Sequence, residues 1–98
     1  MHLQEFQRSI EVIYGARDRR RGRDGTFRWF VEEIGELARA MRDGDPDGMR
    51  LEISDVLAWM VSVASLCGVD VEDAASRYAQ VCPKCHHAPC ACAAESTS

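Results

Sequence analysis

Two short acidic stretches hold the residues best suited to chemistry. Glu32-Glu33-Ile34-Gly35-Glu36 and Glu52-Ile53-Ser54-Asp55 each contain two carboxylates three residues apart. At about 100° per residue, that spacing puts Glu33 beside Glu36 on one helix face and Glu52 beside Asp55 on another. Four carboxylates brought together repel one another unless a cation intervenes. A hard divalent ion with oxygen ligands does this, and Mg²⁺ suits a site that keeps water positions open for a phosphate substrate. A solvated acidic face is the other explanation of such pairs, and spacing alone leaves both readings open. Gly35, inside the first stretch, indicates close approach of something to the backbone or close helix packing.

A second concentration of ligand-type residues lies near the C-terminus. Cys82-Pro83-Lys84-Cys85-His86-His87-Ala88-Pro89-Cys90-Ala91-Cys92 places a CxxC just before a CxC. Four thiolates from Cys82, Cys85, Cys90 and Cys92 could close a tetrahedral structural Zn²⁺ site, with His86 or His87 able to replace one of them. Disulfides or unligated thiols are the competing readings. Cys67 falls on the apolar stripe of a helix and reads as a core residue.

The elements that must position these groups read as helices throughout. Leu3, Phe6, Ile10, Ile13 and Tyr14 predict a first helix over residues 3–20, closed by an arginine-rich turn and Gly22. Asp24 or Thr26 is suited to cap a second helix with the stripe Phe27, Phe30, Ile34, Leu37 and Met41. Asp43-Gly44-Asp45-Pro46 is a turn in which Asp45 can cap and Pro46 can open a third helix, residues 46–67. That helix is apolar along Ile53, Val56, Leu57, Met60, Val63, Ala64 and Cys67. The short link predicts an antiparallel hairpin of helices two and three. Asp70 followed by Asp73 can cap a short fourth helix ending near residue 79. The fold expected is all-α: an antiparallel helical hairpin or four-helix bundle over residues 1–81, a zinc knuckle over 82–92 and a disordered tail over 93–98.

With 98 residues, the chain holds a single small domain that gains from a partner subunit or a metal. Helix three is too apolar for so thin a monomer, so a homodimer or higher homo-oligomer is expected. Sixteen acidic against twelve Lys and Arg residues give a net charge of −4, which disfavours nucleic acid as the principal partner. The longest apolar run, residues 56–69, is broken by Ser62, Ser65 and Gly68 and is too short to span a bilayer. No secretory h-region opens the chain, so a cytoplasmic protein without a membrane partner is expected.

Taken together, Glu32-Glu33-x-x-Glu36 and Glu52-x-x-Asp55, separated by 15 residues, resemble the EExxE and ExxD signature of MazG-like nucleoside triphosphate pyrophosphohydrolases. The likeness runs from about Tyr14 to Tyr78 and includes Phe27, Trp29, Phe30, Glu36-Leu37-Ala38 and Asp55-Val56-Leu57. It implies an all-α enzyme that cleaves a nucleoside triphosphate to the monophosphate and pyrophosphate, in nucleotide-pool house-cleaning. The same resemblance implies Mg²⁺, or Mn²⁺, on Glu33, Glu36, Glu52 and Asp55, with Glu32 as an outer acid that orients them or helps position water. Members of the family place an Asn and a Lys on the helix after ExxD. Here that helix reads Asp73-Ala74-Ala75-Ser76-Arg77-Tyr78, and the only lysine is Lys84.

Trp29 lies four residues before Glu33 and Trp59 four after Asp55, so each indole shares the carboxylate side of its helix. Either could stack on a base or simply wall the core margin. Arg23 and Arg28, with the run Arg19 to Arg21, are candidates to bind phosphate, or they are solvated helix-end cations. The competing function is a non-enzymatic module in which the zinc knuckle and the arginines bind nucleic acid or protein.

Overall fold

The computed structural model describes residues 1–93. Its helices are α1 (Leu3–Arg42), α2 (Pro46–Leu66) and α3 (Val71–Ala75), followed by a single 3₁₀ turn, Ser76–Tyr78. No strand occurs among the described residues. The tail expected over 93–98 lies, from residue 94 onward, outside the described residues.

The first two expected helices are one helical run broken at a single residue. Gly22 has φ 83° and ψ 170°, far from helical values, and divides α1 into arms over residues 3–21 and 23–42. Only glycine tolerates this part of the backbone map at low cost. The second arm restarts at once, and Thr26 sits inside it rather than capping it. Its side chain is fully buried, and its hydroxyl accepts a hydrogen bond from Arg21 Nη1 at 3.3 Å.

The turn at residues 43–45 reverses the chain, with Gly44 at φ 64° and Pro46 in the first turn of α2. Asp45 has the extended backbone of an N-cap, but its carboxylate makes no capping hydrogen bond. Helix α2 ends at Leu66, with Cys67 as its C-cap and Gly68 at φ 72°. A short α3 follows, capped by Asp70 Oδ1 accepting from the Asp73 N–H at 3.2 Å. It tightens into the 3₁₀ turn at Ser76 instead of continuing as α-helix to residue 79.

The second arm of α1 lies antiparallel to α2. Trp29 stacks on Trp59 while Glu33 approaches Asp55, so numbers rise along one helix as they fall along the other. At the far end Gln7 pins the first arm in place. Its amide donates to Ser65 Oγ (3.0 Å) and the Val69 carbonyl (2.9 Å) and accepts from the Val71 N–H (2.9 Å).

The helices meet through small residues, which reverses part of the expected core. The buried apolar residues are Ile10, Ala40, Val61 and Ala64, joined by Thr26, Ser62 and Asp18. Side chains expected inside, namely Phe27, Ile34, Met41, Ile53, Leu57 and Met60, are instead between 45% and 61% exposed. Small side chains allow close approach of the helix axes and leave the bulky stripe facing out of the single chain. Cys67 is likewise exposed, not core. Gly35 is exposed with open space where a side chain would project, so nothing within the chain crowds it.

Candidate active site

Glu33 comes from the second arm of α1, and Glu52 and Asp55 come from α2. One carboxylate oxygen of each lies within 4.8 Å of the others. All three side chains are half-buried, at the margin between the helices. Burial pushes the Glu33 carboxyl above the ordinary carboxylate range. Hydrogen bonding to Glu52 and the charges of Asp55, Glu52 and Glu36 push it the same way. Glu52 Oε2 is buried and has no hydrogen-bond partner. A buried acceptor without a donor, between two further acids, is an unfavourable arrangement for a protein alone and a favourable one around a hard cation.

The structure sets Glu36 slightly apart. It is half-buried one turn beyond Glu33, but its Oε2 accepts from Arg39 Nη1 at 3.3 Å and it does not join the group of three. Glu32 is exposed on the neighbouring helix face.

Glu33 and Asp55 also line a cavity of about 380 Å³ between the arms of α1 and α2. Trp29 and Trp59 line it too, their rings stacked with centroids 6.1 Å apart and planes 17° from parallel. The Arg21 guanidinium lies 4.9 Å from the Trp59 ring centre, a cation–π distance. The same guanidinium donates to Asp18 Oδ1 at 3.0 Å and to Thr26 Oγ1. Asp18 is only 5% exposed, so Arg21 is held by a buried carboxylate, a buried hydroxyl and an indole face. Tyr14 and Arg17 line the cavity as well. The break at Gly22 makes this possible, because it ends the first arm at Arg21.

Arg23 and Arg28 are exposed and do not line this cavity; Arg17 and Arg21 do. Tyr14 and Asp18 were not singled out as site residues by the sequence. Asp18 carried a faint signal there, as the one acid within the run Arg17 to Arg21, three residues before Arg21.

The four C-terminal cysteines form a separate group. Cys82, Cys85, Cys90 and Cys92 place their sulfurs within 4.8 Å of one another. Cys85 is drawn down to about 6, chiefly by the Ala91 N–H and also by His87, which hydrogen-bonds its sulfur from outside the group of four. Cys82 is lowered by the N–H groups of Cys85 and Lys84.

Comparison with known proteins gives a relative and a family. The chain is 47% identical over 57 residues to a dATP/dGTP diphosphohydrolase of Cyanophage S-2L, an alignment covering 58% of this chain. It spans about half (49%) of that relative's length. Residues 21–87, which contain the three clustered acids, both tryptophans and Arg21, match the MazG nucleotide pyrophosphohydrolase domain. With that match covering more than half of its length, on a helical frame that gathers its acids beside an aromatic and basic cavity, the chain belongs to the MazG nucleotide pyrophosphohydrolase family.

Proposed function

We propose that this protein hydrolyses nucleoside triphosphates to the monophosphate and pyrophosphate with Mg²⁺, or Mn²⁺, as cofactor. The observation that carries the proposal is the meeting of Glu33, Glu52 and Asp55, two of which, Glu33 and Asp55, line the cavity that Trp29, Trp59 and Arg21 also line. The acids would hold the metal, with Glu36 joining them by exchanging its Arg39 contact and Glu32 supporting from the exposed side. Bound Mg²⁺ supplies neutralisation of the triphosphate charge and eases deprotonation of the attacking water.

The protein's own groups do the rest. The indoles of Trp29 and Trp59 present apolar faces to a base, while Arg17 and Arg21 offer guanidinium forks to phosphate oxygens. Asp18 positions Arg21, so that the fork is oriented before substrate arrives. Water adds at the α-phosphorus as the α–β anhydride bond breaks, and the leaving group is pyrophosphate. No Ser, His or Cys nucleophile is required.

Purine deoxynucleoside triphosphates head the candidate substrates, because the cyanophage relative is a dATP/dGTP diphosphohydrolase. Clearing surplus or aberrant nucleotides from the pool is the role this chemistry suits, in the cytoplasm. No single helix among the described residues is long and apolar enough to cross a membrane. A second copy of the chain is the occupant we propose for the uncovered face bearing Phe27, Ile34, Ile53 and Leu57.

The test is pyrophosphate release from a panel of common and modified NTPs and dNTPs, with Mg²⁺ and with chelator, beside Asp55→Asn. Metal-dependent release that the variant lacks supports the proposal. Salt-sensitive binding to polynucleotide without turnover would favour a binding module instead.

A further inference from the structure

Residues 79–93 pose a physical problem that the nucleotide site does not address. They hold a defined path with no regular secondary structure, and not one of them is buried. Backbone bonds within this segment join the Val81 N–H to the Ala79 carbonyl (2.9 Å), the Cys82 N–H to the His87 carbonyl (3.0 Å) and the His86 N–H to the Cys82 carbonyl (2.7 Å). Gln80 and His86 take positive φ values of 71° and 62°, which non-glycine residues adopt only when something else determines the chain. A segment with no core of its own keeps one conformation through cross-links or a metal.

The sulfurs supply that agent. Four thiolates bound tetrahedrally at about 2.3 Å from one ion stand about 3.8 Å from one another. Cys82 and Cys92 are 3.8 Å apart, Cys85 and Cys90 are 4.0 Å apart, and all four lie within 4.8 Å. These separations suit a single ion, whereas an iron–sulfur cluster spreads its ligands over several metal atoms. Backbone donors already face the sulfurs: the Ala91 N–H reaches Cys85 Sγ at 3.3 Å and the Cys92 N–H reaches Cys90 Sγ at 3.4 Å. Such N–H···S contacts offset the negative charge that four thiolates gather around a divalent ion.

We propose that Cys82, Cys85, Cys90 and Cys92 bind one structural Zn²⁺ per chain, clipping the segment after the 3₁₀ turn into a closed loop. With four protein ligands, the site has no position for substrate, so the ion is a staple and not a second catalytic centre. Its soft donors also separate it from the all-oxygen acidic site, so each site selects its own metal in one chain.

The test is metal analysis of the full-length protein, purified reduced and without chelator, followed by cobalt substitution. The expected result is one zinc per chain, released by a thiol-modifying reagent, and a Co²⁺ form with the intense sulfur-to-metal absorption and visible bands of tetrahedral tetrathiolate. Cys90→Ser/Cys92→Ser should lose the zinc and the cobalt spectrum while keeping the helical circular dichroism signal, and Cys67→Ser should keep all three. Zinc-free protein, iron in place of zinc, two disulfides in protein prepared without air, or full zinc in the Cys90/Cys92 variant would each overturn the assignment. None of these readouts depends on nucleotide hydrolysis.

Discussion

Glu33 is the residue at which repulsion and metal binding meet. Its carboxyl is pushed up by burial and by three neighbouring acids, so the folded, metal-free protein holds this proton more tightly than the unfolded chain does. The contribution therefore favours the fold at low pH and is lost as pH rises from the ordinary glutamate range through the raised value. At neutral pH the empty acidic group works against the fold, and a divalent cation should reverse that. Glu33→Gln is expected to raise the melting temperature of metal-free protein at pH 7 to 8 and to abolish the rise that Mg²⁺ gives the wild type. A scan in chelator and in Mg²⁺ checks both. Arg21 is the complementary case. Removing it in Arg21→Ala strands the buried carboxylate of Asp18, whose partner it is. The expected loss is about 1–3 kcal/mol in chemical denaturation, below the range for a wholly buried pair because the Arg21 side chain is itself 26% exposed. KM for nucleotide should also rise, whereas Arg28→Ala, on an exposed residue outside the cavity wall, should leave both unchanged.

At the scale of elements, the break in α1 is the feature on which the cavity depends. Gly22→Ala puts a side chain on a backbone with φ 83° and ψ 170°, expected to cost about 1–3 kcal/mol by urea unfolding. Because the strain falls beside Arg21, activity should drop further than stability alone would explain. The break, the reversal at Asp43–Pro46 and the end of α2 near Gly68 were all legible in the sequence, because Gly and Pro act on their own backbone. The meeting of Glu33, Glu52 and Asp55 was legible too, since helical spacing depends on short intervals, whereas the expected fourth member, Glu36, stands apart beside Arg39. What could not be read was which face of each helix would be buried. Phe27, Ile34 and Leu57 mark an apolar stripe by period alone, but period does not say what covers it. Thr26 and Asp18 show the same limit from the other side. Both are polar and buried, and Arg21 bonds both, Asp18 within its own arm and Thr26 across the break.

For the molecule as a whole, the balance of inside and outside argues for assembly. Four buried apolar residues make a thin core among the described residues, while seventeen large hydrophobic residues stay exposed. Such a surface is expected to be covered by a second copy. Light scattering at micromolar concentration should give at least the dimer mass for the wild type. Ile34→Lys/Leu57→Lys should shift it toward monomer, and a wild-type monomer would contradict the assembly. The two metal-type sites divide the chain by chemistry: three carboxylates at the helix crossing and four thiolates beyond the last helical turn. The most direct test of the account is pyrophosphate release from dATP and dGTP by wild type and Glu33→Gln, in Mg²⁺ and in chelator, with folding of both verified by circular dichroism. The account predicts turnover only for the wild type with Mg²⁺. Equal turnover by a folded Glu33→Gln, or turnover unchanged in chelator, would contradict it.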